Sequence, residues 1–125
     1  MFNLISQACA VVFEPVTFLY IVFGTVGGVI FGAMPGVSAA MAMVLGMTFS
    51  YSMQPLSAIA FLVAVYCSAI TGGGITAVLF SIPGTPASAM TMLDGYPMAQ
   101  RGESGKALGI SLFTSAIGGI FASFC

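Results

Sequence analysis

The sequence predicts an all-α membrane protein with polytopic transmembrane helices that are broken or re-entrant at Pro-Gly motifs. Hydrophobic residues make up 59% of the 125 residues and charged residues only 4%, whereas soluble domains carry about 25% charged residues. The apolar residues form runs close to the ~20 residues that cross a bilayer. Pro-Gly pairs interrupt two of these runs, and helices that continue beyond them must therefore be broken.

The few charged residues limit which functions the chain can have. Four of the five charges fall within residues 94–106, and the fifth is Glu14. No basic patch is present, which argues against nucleic acid as a partner. The sequence has no histidine, and its three cysteines are far apart, which argues against a metal site and against catalysis by a histidine base. We therefore expect neither an enzyme nor a cofactor.

The first predicted elements are a short amphipathic lead-in, residues 1–13, and a spanning helix, residues 16–34. Residues 1–10 contain no Lys or Arg, so the lead-in lacks the charged start of a signal peptide. Glu14 and Pro15 suit a helix start, because proline is tolerated in the first turn and a carboxylate favours the positive end of the helix dipole. At about 1.5 Å per residue, the apolar run that follows can cross a hydrocarbon core of about 30 Å.

The rest of the chain is predicted to continue the same transmembrane domain. Residues 1–125 are predicted to be only the N-terminal part of that domain. Its segments are apolar runs at 37–53 and 56–70, a broken segment at 75–93, a polar loop at 94–106 and a last apolar run at 107–125. The glycine-rich stretch at 71–74 is expected to interrupt a helix. The two parts of the broken segment are each too short to span a bilayer. They are predicted to form a re-entrant hairpin or a broken helix, with one kinked spanning helix as the alternative.

The break at Pro83-Gly84-Thr85-Pro86 is the strongest functional indication in the sequence. Backbone groups left unpaired in lipid each cost several kcal/mol unless protein or a water-filled cavity satisfies them, and transporters use such breaks to hold ions or anionic substrates near the midplane. Glycine lets a ligand approach the backbone closely. Thr85 has the alternative role of capping the next helix. The candidate substrate-binding residues are Pro35, Gly36, Ser38, Gly72, Gly73, Ser81, Pro83, Gly84, Thr85 and Ser88.

Glycine recurs at every fourth position through Gly24, Gly28, Gly32 and Gly36. Small residues at this spacing let a second helix approach closely, with crossing angles near about −40°. The stripe is predicted to pack helices, either statically or against a helix that moves. The chain also repeats weakly, since two stretches read as an apolar run, Pro-Gly, and then small residues and methionines. Paired interruptions of this kind indicate a transporter binding site.

Several of these motifs, in this order, resemble the large permease subunit of the tripartite tricarboxylate transporters. The motifs are Gly-x-x-x-Gly-x-x-Pro-Gly at 28–36, a Tyr before a Gly-Gly turn at 66–75, Ile-Pro-Gly-Thr-Pro at 82–86 and Asp-Gly-Tyr-Pro-Met-Ala at 94–99. The resemblance covers about residues 14–121. Gly46, Gly74 and Ser81 stand where that family often has proline, serine and asparagine, which leaves the substrate open.

The resemblance implies a multi-pass permease of the bacterial inner membrane that takes up tricarboxylates or related organic acids. It implies a cation gradient as driving force, with sodium or the proton as coupling ion. It implies a small membrane subunit and a periplasmic solute-binding protein as partners, besides the lipid bilayer. Such permeases are several times longer, so we expect an N-terminal fragment. The alternative is a non-transporting membrane assembly component packed through its glycine stripe. The two basic residues, Arg101 and Lys106, predict a cytoplasmic position for residues 94–106.

Overall fold

The computed structural model describes all 125 residues. Helices take up 83% of the chain and no strand is present, which confirms the predicted all-α class. A 3₁₀ turn at Pro86–Ser88 precedes the fifth of six α-helices. These are α1 (Phe2–Val12), α2 (Pro15–Ala33), α3 (Ala39–Ser50), α4 (Pro55–Phe80), α5 (Ala89–Gln100) and α6 (Ser104–Phe124).

Three of the helices are long and apolar enough to cross a membrane, namely α2 with 19 residues, α4 with 26 and α6 with 21. Both α2 and α4 begin at a proline, which suits a position whose N–H has no helical partner. The remaining helices are shorter, with 11 or 12 residues each. The chain is therefore a multi-pass membrane protein that combines spanning helices with short ones.

The glycine-rich stretch at 71–74 does not interrupt a helix, contrary to the prediction. Helix α4 runs through it without a break to Phe80. A glycine in a helix costs only about 1 kcal/mol relative to alanine, and Gly72 and Gly73 are buried against other parts of the chain, where a side chain would not fit. Close packing therefore outweighs local propensity here.

The predicted broken helix is confirmed, because α4 ends at Phe80 and helical structure resumes only after residues 81–85. The predicted re-entrant hairpin with two short arms is wrong in its first arm, because residues 75–80 are the end of α4. The single kinked helix is wrong as well, because residues 81–85 are not helical. The predicted polar loop at 94–106 is also too long. Helix α5 continues through Pro97 to Gln100, and only residues 101–103 join it to α6. Polarity suggested a loop there, but polar residues do not end a helix by themselves.

Helices α2 and α4 pack side by side and run in the same direction. At one end, the Thr17 Oγ1 and Ser57 Oγ atoms form a buried hydrogen bond of 2.9 Å. Further along, Gly24 lies against Phe61 and Gly32 lies against Ala69, so the pairing advances along both helices together. A chain that leaves the end of α2 must travel back to reach the start of α4. Helix α3 makes this return and therefore runs antiparallel to both.

Candidate functional site

Helix α4 ends at Ser81, whose φ of 56° and ψ of 26° place it in the left-handed region. This conformation turns the chain back along α4, so that Thr85 lies beside Gly73. Helix α5 then runs along the end of α4 in the same direction, with Gly95 against Val78. We call residues 81–85 the second break.

Gly84 lies at the closest contact of the second break with the helices. A Cβ atom built on Gly84 would come within 2.8 Å of the Gly73 Cα atom and 3.1 Å of the Thr76 Oγ1 atom, and it would also collide with the Gly32 carbonyl oxygen. Backbone from α2, from α4 and from the second break therefore meets here. Glycine is needed at Gly84 because no space exists for a side chain.

Thr85 and Ser88 form a capping box that closes the start of the next helix. The Thr85 N–H donates to Ser88 Oγ at 3.3 Å, and Ser88 Oγ donates to the Thr85 carbonyl oxygen at 2.7 Å. Thr85 is only 3% exposed and Ser88 only 4%, and no buried side-chain polar atom lacks a hydrogen-bond partner. Of the two roles considered for Thr85, the structure therefore displays the capping role.

Residues 34–38, which we call the first break, separate α2 from α3. Gly36 has a φ of +93°, which disfavours any other residue, and no atom lies within 4 Å of the position its Cβ would take. The Ser38 side chain caps α3 by accepting a hydrogen bond of 3.3 Å from the Met41 N–H. Gly36 does not extend the glycine stripe as predicted, because α2 ends at Ala33. The stripe is thus Gly24, Gly28 and Gly32.

The structure brings together only part of the predicted set. Gly73, Gly84, Thr85 and Ser88 form one contiguous buried group. Gly72 is not part of this group but packs against α2, since a Cβ atom built on it would lie 2.5 Å from the Val29 carbonyl oxygen. The others lie at or near the surface: Pro35 and Gly36 are exposed, whereas Ser38, Ser81 and Pro83 are half-buried.

Two contacts of the second break were missed by sequence reasoning. Gly32 was identified only as a packing residue, yet its carbonyl oxygen lies against Gly84. Thr76 was not identified at all, although its hydroxyl both faces Gly84 and donates to the Gly73 carbonyl oxygen at 3.1 Å. The stripe's regular spacing pointed to Gly32, whereas no local signal points to Thr76.

Two neighbouring clefts separate α6 from α4 and α5. The first, which we call the hydroxyl cleft, has a volume of about 370 Å³ between all three helices. The second, of about 350 Å³, lies between α5 and α6 and reaches Asp94. The hydroxyl-bearing residues that line the hydroxyl cleft are Thr71, Ser88, Thr91, Ser111 and Ser115.

The comparisons with known proteins agree with each other. A family model described as the Tripartite tricarboxylate transporter TctA family matches residues 18–125. An uncharacterized 52.8 kDa protein in the TAR-I ttuC′ 3′ region of Agrobacterium vitis is 38% identical over 110 residues, which cover 86% of this chain and 21% of the relative. The chain thus spans about a fifth of that relative's length. No solved structure matches the chain.

Proposed function

Since the chain belongs to the tripartite tricarboxylate transporter TctA family, we propose that it forms part of a permease subunit for tricarboxylates or related organic acids. The permease works in the bacterial inner membrane and is driven by a cation gradient. Its partners are a small membrane subunit and a periplasmic solute-binding protein. The family is one of transporters, and this supports transport rather than catalysis.

The observation that carries the proposal is the contact of the second break with the end of α2, close to where the first break begins. The Gly84 position touches the Gly32 carbonyl oxygen, and the first break begins only two residues after Gly32, at Met34. Broken helices in secondary transporters place their free backbone groups at the substrate site. A second break that contacts α2 next to the first break thus supports one half of such a site.

Within this half-site, we assign ligand contact to the residues that are exposed or half-buried. The Thr85 hydroxyl is buried in the capping box, so it supports the site without touching substrate. Gly36 is open to a ligand, and Ser38 begins a helix whose N-terminal N–H groups and dipole attract a carboxylate. Ser81, at the far side of the second break, is half-buried and accessible. We therefore assign substrate contact to the first break and to Ser81, and support to Gly73, Gly84, Thr85 and Ser88.

Protection of single cysteines by substrate tests this assignment in a full-length permease that contains residues 1–125. The exposed native cysteines, Cys9, Cys67 and Cys125, are first replaced by serine. Ser38→Cys and Ser81→Cys are then labelled with a maleimide, with and without citrate and other organic acids. Ser123→Cys near the end of α6 is the matched control, because Ser123 is exposed and far along the chain from both breaks.

We expect organic acids to slow labelling at Ser38→Cys and Ser81→Cys and to leave Ser123→Cys unchanged. A non-transporting assembly component predicts no protection by any organic acid and no uptake when the partner subunits are supplied. Uptake without protection at either position would support the transport function and reject the proposed substrate contacts at Ser38 and Ser81.

A further inference from the structure

Helix α1 separates its polar side chains from its apolar ones. At 3.6 residues per turn, Asn3, Ser6 and Gln7 share one side of the helix, while Ile5 and Val12 lie on the opposite side. The helix contains no charged side chain. A short helix with one polar and one apolar face is typical of a segment that lies in the interface between water and lipid.

The apolar face of α1 is left uncovered by the other helices. Leu4 is 70% exposed, Ile5 61% and Val12 41%, and only Val11 is half-buried. The 11 residues of α1 span roughly 16 Å at 1.5 Å per residue, about half of a hydrocarbon core of about 30 Å. Helix α1 is therefore too short to cross the membrane. Its exposed apolar face marks a contact surface for lipid or protein.

The Glu14 carboxylate sets the depth of α1 in the membrane. Helix α1 ends at Val12 and α2 begins at Pro15, so Glu14 lies at the corner between the two helices, where its backbone is extended. A charged side chain avoids the hydrocarbon core, which places this corner at the level of the lipid headgroups. Exposed apolar side chains follow at once on α2, at Val16 and Leu19. The apolar face of α1 thus adjoins the apolar surface of a spanning helix.

Helix α1 and the two basic residues lie at opposite ends of the molecule. Helices α2 and α4 start at the α1 end and run in the same direction, and α5 runs along the end of α4 in that direction too. Arg101 follows α5 directly, and Lys106 lies in the first turn of α6. The 26 residues of α4 extend roughly 39 Å, which is enough to separate the two membrane surfaces. Because basic residues favour the cytoplasmic side, α1 belongs to the other side.

We propose that α1 is an interfacial helix on the periplasmic surface of the membrane, with its apolar face on the acyl chains and its polar face toward water. The lipid contact goes beyond the proposed function, whereas the choice of surface rests on the proposed location in a bacterial inner membrane. Since α1 has no charge, the contact depends on burial of apolar area and not on anionic headgroups. Helix α2 tethers α1 to the bilayer, so a weak affinity for lipid is sufficient.

Quenching by brominated lipid tests the contact in a full-length permease that contains residues 1–125. The native cysteines are replaced by serine, and a single cysteine is introduced as Ile5→Cys or Gln7→Cys. Both positions are exposed on the same helix, so each variant is the matched control of the other. Each cysteine is labelled with bimane and reconstituted in phosphatidylcholine vesicles, with or without bromine on the acyl chains. A lipid with bimane on its acyl chain is the positive control for quenching.

We expect brominated lipid to remove most of the fluorescence at Ile5→Cys and to leave Gln7→Cys nearly unchanged. Quenching at neither position would overturn the proposal, because the apolar face would then lie against protein or in water. Equal quenching at both positions would overturn it as well, because the whole helix would then lie within the hydrocarbon.

A membrane-impermeant maleimide applied to spheroplasts tests the choice of surface. Gln7→Cys should be labelled from outside, and Glu103→Cys, next to the basic residues, only after permeabilisation. Replacing Glu103 leaves both basic residues in place, and acidic residues contribute little to orientation. The reverse pattern would overturn the periplasmic assignment. Neither measurement depends on substrate or uptake, so failure here and failure of the proposed function are distinguishable.

Discussion

The two breaks share a sequence pattern, but the structure gives them opposite surroundings. Each follows a long helix, contains a Pro-Gly pair and leads into a helix of 12 residues, α3 or α5. At the first break Gly36 is exposed, with no atom near its Cβ position. At the second break Gly84 is enclosed by backbone and Thr85 is buried. Local sequence thus determines where a helix stops, while packing determines whether the break is open or closed.

The two glycines consequently serve different physical purposes. Gly36 is needed for its backbone angle, since its φ of +93° disfavours a side chain even in open space. Gly84 is needed for its small size, since backbone atoms occupy the place of a Cβ. The comparison can be tested by substitutions in which a single cause, such as overpacking, a lost cap or backbone strain, dominates the change in stability.

Gly84→Val is expected to have the largest effect on stability. The valine side chain would collide with backbone at Gly73 and Gly32, and overpacking at such a site costs about 3 kcal/mol or more. Gly36→Ala should cost only about 1–2 kcal/mol, the usual penalty for a left-handed residue. The measurement is the thermal stability of each purified variant. Equal losses would show that the second break can open to accept a side chain.

Loss of the caps should give the next largest effect. Ser88→Ala removes the buried hydroxyl that makes both capping-box bonds with the Thr85 backbone and should cost about 2 kcal/mol, the upper end for capping residues, whereas Ser38→Ala at the half-buried first break should cost about 1 kcal/mol. Thermal unfolding of both variants measures the difference. Ser6→Ala is the control for a lost hydroxyl, because Ser6 is exposed and bonds only within α1. A larger loss for Ser38→Ala than for Ser88→Ala would contradict the contrast between an open and a closed break.

Ser81→Gly should have the smallest effect, and the opposite sign. Ser81 is the one non-glycine residue with a positive φ, and glycine adopts this conformation without a steric penalty. Relief of the left-handed strain, about 1–2 kcal/mol, exceeds the loss from the entropy that glycine adds to the unfolded chain, about 0.4–1 kcal/mol. We therefore expect a net gain of about 0.5–1 kcal/mol, seen as a modest rise in thermal stability. A loss of stability would mean that the Ser81 side chain makes a contact worth more than the strain it bears.

Local chemistry was enough to predict much of this architecture. Pro15 marked the start of α2, and the Pro-Gly pairs marked the two breaks. Errors arose where packing opposes local preference. Gly72 and Gly73 continue a helix because they fit against neighbouring backbone, and α5 accommodates Pro97 inside it. Both depend on contacts between distant parts of the chain.

The candidate site was likewise predictable where it depends on local sequence and not where it depends on packing between distant segments. The motif at 82–86 located the second break, and its glycine implied a close approach of backbone. Which atoms approach was not predictable, because the contacts of Gly84 with Gly32 and Thr76 depend on how α2 and the second break pack on α4. For the same reason, only the structure could show that Thr85 stands in a buried capping box with Ser88.

The spacing of the glycine stripe means that the stripe alone does not fix the register between α2 and α4. The glycines recur at every fourth residue, so sliding α2 by about one turn, roughly 6 Å, would place Gly28 opposite Phe61 and Gly32 opposite Ser68. Neither new pairing adds a side chain from α2. The hydrogen bond between Thr17 and Ser57 does distinguish the two registers, because such a slide breaks it. The slide would also bring the larger Ile21 side chain into the buried place of Thr17. The Thr17–Ser57 pair therefore fixes a register that the glycine stripe by itself leaves open.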